Sequence, residues 1–469
     1  MEVESLNNEK APGFFARGWR CLKAKVVDIT MNAKKLVKDD PRRVIHSLKV
    51  GLALTLVSII YYYQPLYKSF EVSGIWAVMT VVVVFEFSVG ATLGKGINRG
   101  VATLLAGALA IGAHHLADLT GQGEPILLGF FVFLQAAIST FMRFFPKIKA
   151  RYDYGLLIFI LTFSFVSVSG FRVDEIIELA HKRVLTILIG GAMCVIISIV
   201  VFPVWAGEEL HNLIALNMEK LGNFLEGFGD EYFQVPGESK EKKTFLEGYK
   251  AVLNSKTSEE SLANFAVWEP AHGRFKFRHP WKQYLKIGSL IRECAYRIES
   301  LNGCLIADMQ GSSEIKSKIR EACTSVSKDC GKALKELALA IRTMSQRSST
   351  DSHIKNAKFG AKRLTTLLKS GIWEHIDLLQ VIPPVTVASI LIDVVNCIEK
   401  IAELENELAS IANFKQVKPT VSPEKKQEVG SSQSKIHCSH VIITVNDDES
   451  SSASSANPNL SGPRNKEDK

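Results

Sequence analysis

The chain has 469 residues, is 47% hydrophobic and 22% charged, and carries a formal net charge of +8. Its apolar residues crowd into the first two hundred positions in runs of membrane length, which excludes a purely soluble fold. The basic excess of the first fifty residues leads straight into an apolar run, which argues against nucleic acid as the partner. The N-terminus MEVESLNNEK is polar and lacks the apolar core of a secretory signal. None of the eight cysteines forms a C-x-x-C pair, so neither a disulfide framework nor a zinc site is expected.

In chain order, residues 13–38 place Phe15, Trp19, Leu22, Val26 and Ile29 at helical spacing with Arg and Lys between them. This pattern predicts an amphipathic helix that lies on an anionic leaflet or docks on a soluble domain. Six apolar spans follow, at 45–63, 74–92, 98–118, 125–145, 153–171 and 183–202, each close to the ~20 residues that a bilayer requires. Tyr61, Tyr62 and Tyr63 close the first as an interfacial aromatic belt. Basic residues cluster in the arm, at Lys95 and Arg99, and at Arg143, Lys147, Lys149 and Arg151, whereas the alternate turns are poorer in them. The positive-inside rule then puts both termini in the cytosol, which an even number of spans satisfies.

From Ala206 the pattern turns helical and soluble. Leu210, Leu213, Leu221, Phe224, Leu225 and Phe228 share one face of a helix over 208–233. Thr257 with Glu260 reads as a capping box, and further helices are expected at 281–307, 313–346, 353–370 and 385–413. In the last, Leu391, Val394, Ile398, Ile401, Leu404 and Leu408 form a face that packs within the chain or against a second subunit. Residues 415–469 are Ser-rich and polar and are expected to be disordered. The expectation is an all-α membrane protein: a basic amphipathic arm (1–44), a six-helix transmembrane domain (45–205), a cytosolic helical domain (206–414) and the tail.

The stretch from Trp76 to Gly107 holds Glu86, Lys95 and Arg99 among apolar residues. Gly90 with Gly94, and Gly96 with Gly100, have the spacing that lets helix backbones approach closely in lipid. It reads as two membrane helices joined by a short basic turn, with Arg99 opening the second. A charge kept at membrane depth faces protein or water. Rings of Arg or Lys select anions, which makes Lys95, Arg99, Arg143, Lys149, Arg151 and Arg183 candidate pore residues, with Lys49 and Arg172 beside them. Arg183 stands out because it begins a span on the outer side, and pairing with Glu178 or Asp174 is the alternative for it. Glu86 is read first as a structural ion-pair partner. Asp174 and Glu178, four apart, form a possible outer cation site. His114 and His115 with Asp118 are read as interfacial residues rather than a metal site, and no catalytic constellation or cofactor motif emerges.

The runs DPRRVIHSLKVGLAL (40–54), WAVMTVVVVFEFSVGATLGKGINRG (76–100), EPILLGFFVFLQAAISTFMRFFPKIKARYDYGLLIFILTF (124–163), FPVWAGEELH (202–211) and FAVWEPAHGRFKFRHPWKQY (265–284) resemble the plant aluminium-activated malate transporter family of anion channels. The resemblance implies a homodimer, six spans per subunit, a cytosolic helical domain, and a basic pore between subunits that passes malate and other anions. The family's pore arginines look to fall on Arg99 and Arg183, with Arg143, Lys149 and Arg151 building the inner vestibule. It also implies regulation around Phe202, in a region linked to gamma-aminobutyrate, and makes Trp268, Glu269 and Pro270 possible regulatory residues. The loop LYKSFEVSG (66–74) departs from the aluminium-responsive members, offering Lys68 and Glu71 where they have an aspartate, so aluminium activation is not carried over. The expected location is the plasma membrane, with the vacuolar membrane as alternative. The competing functions are a proton-coupled aromatic-acid exporter using Glu86, and a membrane-held signalling scaffold.

Overall fold

The computed structural model describes residues 14–62, 75–170, 176–233, 244–306, 313–346, 348–370 and 378–416. The aromatic-belt residue Tyr63, the loop 66–74, Arg172, Asp174 and the Ser-rich tail after Gln416 lie outside them.

The N-terminal part is a series of apolar helices: α1 (Phe14–Asp39), α2 (Arg42–Tyr62), α3 (Ile75–Val84), α4 (Val89–Asp118), α5 (Glu124–Met142), α6 (Pro146–Gly170) and α7 (Ile176–Val200). Helix α4 packs along α6, α3 and α4 both pack on α7, and α2 rests on α3 and α7. Small residues make the tight contacts: Ala106, Ala110 and Ala113 of α4 face Phe163 and Val166 of α6. Outward positions such as Leu104, Leu105, Phe133 and Ile138 are exposed, as lipid-facing residues are.

Among the described residues, six helices are long and apolar enough to cross a membrane: α2, α4, α5 with the short helical turn before it, α6, α7 and the distant α14 (Leu378–Ala412). The chain is a multi-pass membrane protein. Two expectations about the second and third spans are corrected. Helix α3 has only 10 residues, about 15 Å of length against a hydrocarbon core of ~30 Å. The chain breaks at Glu86–Ser88 rather than at Lys95–Arg99, because the Ser88 side chain accepts the Ala91 amide at 3.3 Å and starts a new helix there. Lys95 and Arg99 therefore sit inside one continuous 30-residue helix, not in a turn.

The C-terminal part is a helical domain: α8 (Ala206–Tyr232), α9 (Tyr249–Leu253), α10 (Lys256–Ala266), α11 (Trp281–Ile306), α12 (Ser313–Thr343), α13 (Ser348–Lys369) and α14. Helix α8 packs against α12 and α11, and α14 packs against α11, α12 and α13. The α8 face is buried through Leu210, Leu221, Phe224, Leu225 and Phe228 as the spacing predicts, although Ile214 and Met218 fill the stripe where Leu213 is only half-buried. On α14, Leu391, Val394, Ile398, Ile401 and Leu408 are buried within this chain, which decides between the two partners left open for that face. Burial in this core also makes α14 a domain helix despite its membrane-like apolarity. The expected capping box at Thr257 is not formed: α10 starts at Lys256, and Ser255 donates to Glu259 instead. A two-residue parallel bridge joins Ser345–Gln346 to Lys415–Gln416.

Candidate functional site

The candidate pore arginines lie inside the helix bundle. Arg99 of α4 is 4% exposed and donates from Nη1 to the Tyr154 hydroxyl of α6 at 3.2 Å. Arg183 of α7 is 3% exposed, its guanidinium 3.9 Å from the Trp76 ring centroid and 4.2 Å from that of Phe165. Among the described residues, both Nε atoms and the Arg183 Nη1 have no hydrogen-bond partner. The two charges are near enough to act on each other. A cavity of about 290 Å³ opens beside Arg183, lined by Thr103, Gly107, Thr162, Val166 and His181. The Glu178 side chain and Asp174, the proposed acid partners, lie outside what the structure describes.

The other basic candidates have different surroundings. Lys95 is ion-paired with Glu86, the structural partnership that the sequence favours for this acid. Arg143 grips Asp153 through two bonds of 2.7 and 3.2 Å. Lys49 is buried and donates to the Phe202 carbonyl at 2.8 Å, so it closes the end of α7 rather than lining a path. Lys149 and Arg151, both exposed, join Lys95, Asn98 and Trp268 around a cleft of about 320 Å³. The Arg151 guanidinium stands 5.0 Å from the Trp268 ring, and its carbonyl accepts from Asn98 at 3.0 Å. His114 is buried with Nδ1 3.5 Å from Glu124, and no metal-holding cluster occurs among the described residues.

Below the bundle, the run WEP forms the seam with the helical domain. Glu269 is 4% exposed and accepts the Ala206 and Gly207 amides at 2.6 and 3.0 Å. These are orphan donors at the start of α8, where a carboxylate also meets the positive end of the helix dipole. Burial pushes the Glu269 carboxyl above its ordinary pKa while the two amides pull against that shift. The Pro270 carbonyl meets His272 Nδ1 at 2.9 Å, and the His272 ring stacks on Trp205 with 3.8 Å between centroids. Phe202 holds a left-handed backbone, φ 42°, at the joint between α7 and α8, and its ring is 70% exposed.

The glycine pair Gly90 and Gly94 has a role other than the one its spacing suggests. A Cβ on Gly90 would stand 2.4 Å from the Phe265 carbonyl and 2.9 Å from Glu269, and one on Gly94 would stand 2.9 Å from Trp268. These glycines admit the seam loop, not a neighbouring membrane helix. Gly100 has nothing within 4 Å. Sequence reasoning missed a further buried cluster: the Tyr284 hydroxyl bridges His211 Nδ1 at 2.9 Å and His279 Nε2 at 3.3 Å. Burial holds both imidazoles down to about 4, so they are neutral at pH 7. The signal was present in the dense aromatic and histidine content of 265–284, but spacing alone does not say which rings meet.

Comparison with known proteins gives the family. The family model described as "Aluminium activated malate transporter" matches residues 34–375. "Aluminum-activated malate transporter 2" of Arabidopsis thaliana is 54% identical over 464 residues, covering 91% of this chain and 93% of its own length. "Aluminum-activated malate transporter 1" of the same plant is 52% identical, covering 90% and 88%. The wheat (Triticum aestivum) protein named "Aluminum-activated malate transporter 1" is 46% identical, covering 82% and 85%. This is a family of transporters, not of enzymes. With that match running from the end of α1 into the helical domain, the chain belongs to the aluminium-activated malate transporter family.

Proposed function

We propose that this protein is a passive anion channel, permeable to malate and other anions, that conducts through a basic pore between two subunits in the plasma membrane. In this reading α2 to α7 make six crossings, the short α3 counted as one of them, and place both termini in the cytosol; Arg99 and Arg183 are the anion contacts, and Lys95, Arg143, Lys149 and Arg151 form the inner vestibule. The observation that carries it is the state of the two arginines. Lys95 and Arg143 have carboxylate partners, whereas Arg99 and Arg183 are buried with guanidinium donors unused among the described residues. A buried charge without a counter-ion is costly, and a passing anion supplies the missing one. One carboxylate at 4 Å from a guanidinium is worth about 4 kcal/mol at an effective dielectric of ~20, enough to offset part of its lost hydration. Such binding by spaced single arginines stays weak enough for exit. The relatives' names supply malate as the anion. The pairing of Glu86 with Lys95 speaks against Glu86 as a proton-coupling acid. Regulation enters, in this reading, at Phe202 and at Trp268, Glu269 and Pro270, with Asp174 and Glu178 as the outer acids. The test is patch recording with malate on the cytosolic side. Wild type is expected to carry inward current at negative voltage, reversing with the anion gradient. Arg99→Glu and Arg183→Glu are each expected to abolish it while surface expression persists; unchanged current in both removes the pore assignment.

A further inference from the structure

Helix α1 is the element for which the proposed pore has no use. Every residue from 23 to 39 is exposed, including Val26, Ile29, Leu36 and Val37 at 45–65%. Those four fall with Ala33 at i, i+3, i+7, i+10 and i+11, one stripe of a helix. An apolar stripe left open on a helix that leads directly into the membrane span α2 requires a cover. Over 23–39 the face does not dock on the helical domain, one of the two partners that the sequence leaves open for it.

We infer that α1 lies in the plane of the inner leaflet and binds acidic phospholipid, next to a joint that ties it to the helical domain. Charge complementarity selects this occupant. The segment 23–39 carries Lys23, Lys25, Lys34, Lys35 and Lys38 against Asp28 and Asp39. On the helical wheel Lys23 and Lys34 flank the stripe on one side and Lys25 on the other, where long stems reach headgroup phosphates while the stripe sinks into the acyl boundary. The joint after α1 carries the consequence inward. Asp40 accepts from the Arg42 backbone amide at 3.1 Å and from Nε at 3.0 Å, and Arg42 Nη1 reaches Glu209 in the first turn of α8 at 2.7 Å. The end of α1, the start of α2 and the start of the helical domain are thus tied at one arginine.

The test is hydrogen exchange on the full-length protein in bilayers of phosphatidylcholine with and without phosphatidylserine. Each lysine near an acidic surface contributes roughly a 5-fold preference. Exchange across 23–39 is therefore expected to slow by at least about 10-fold when phosphatidylserine is present, and high salt reverses this. Lys23→Gln with Lys34→Gln and Lys38→Gln removes the lipid dependence, and Ile29→Glu removes the protection itself. Unchanged exchange in α11 (Trp281–Ile306) shows that these variants remain folded. Three results overturn the inference: equal protection in both bilayers, protection that rises with protein concentration (a second copy covers the stripe), and equal protection in detergent. None depends on whether the channel conducts malate.

Discussion

Substituting the α4 glycines separates two explanations for their spacing. Gly90→Ala puts a methyl 2.4 Å from the Phe265 carbonyl oxygen and 2.9 Å from Glu269 Cγ and Oε1. Ordinary contact needs about 3.5 Å, so the seam loop must retreat by ~1 Å. Overpacking of that kind costs about 1–3 kcal/mol. The retreat also draws Glu269 away from the Ala206 and Gly207 amides, a cap worth roughly 1 kcal/mol. Against this stands about 1 kcal/mol gained by replacing glycine within a helix. The net expectation is a loss of about 1–3 kcal/mol. Gly100→Ala meets nothing within 4 Å and keeps only the gain, so it is expected to stabilise by up to about 1 kcal/mol. Thermal unfolding of the full-length protein in nanodiscs measures both, and exchange at the first turn of α8 locates the damage. Opposite shifts, with the Gly90 variant loosening α8, support the seam. Equal shifts, or a Gly100 variant that is the worse of the two, refute it and return these glycines to helix packing in lipid.

The buried histidines predict acid sensitivity. His211 and His279 titrate near 4 in the folded chain, below the ordinary 6.5 of the unfolded one, so the unfolded state binds more protons between those values. Their contribution is present in full above pH 6.5 and falls by about 1.4 kcal/mol per pH unit per histidine below it. Opening free energies of α8 and α11, from hydrogen exchange corrected for intrinsic rates, are expected to drop from pH 7 to pH 5 by roughly 2 kcal/mol for each histidine that the opening exposes, about 4 kcal/mol for both; His211→Phe reduces the drop, and a flat wild-type profile counts against the burial. For the Glu86–Lys95 pair, Lys95→Glu alone is expected to cost about 1 kcal/mol, and adding Glu86→Lys to restore most of it. A reversal potential that follows the proton gradient in wild type and loses it in the double swap makes Glu86 a coupling acid instead.

Helix periodicity made most of the chain legible before any coordinates. Apolar runs gave the membrane helices to within a few residues at most ends, and three-and-four spacing gave the faces of α8 and α14 that are buried. The boundary between α3 and α4 was misplaced for a physical reason. Gly94, Gly96 and Gly100 with Lys95 and Arg99 look like a turn, because glycine and charge weaken a membrane helix locally. Tertiary contact overrides that signal: Trp268 fills the space beside Gly94, and Glu86 neutralises Lys95. The true break is set by one serine hydroxyl at Ser88, a signal too small to outweigh the apolar run around it. Of the candidate site, charge in the sequence singled out the arginines and the resemblance singled out the WEP run. Neither told which cations are paired and which are free, since a pairing such as Arg143 with Asp153 depends on how helix ends meet.

The corrected course of α4 bears on how movement of the helical domain would reach Arg99 in the proposed channel. Had Lys95 to Arg99 been a turn, movement of the helical domain would have been absorbed there, and Arg99 would have opened an independent helix. Instead Gly90 and Arg99 belong to one helix, separated by about 14 Å of rigid rise. The foot of that helix is held at several points: the Val89 amide donates to the Val204 carbonyl at 2.9 Å, and Glu269 touches Gly90 while capping α8. One carboxylate is thus in contact with the first turn of the helical domain and the first turn of the helix that carries Arg99. Because the loop is packed against glycine with no slack, a shift of α8 either breaks the two amide bonds to Glu269 or, where Glu269 follows, moves α4 as a body. The second course displaces Arg99 against the Tyr154 hydroxyl on α6, the one fixed partner that the structure gives its guanidinium among the described residues.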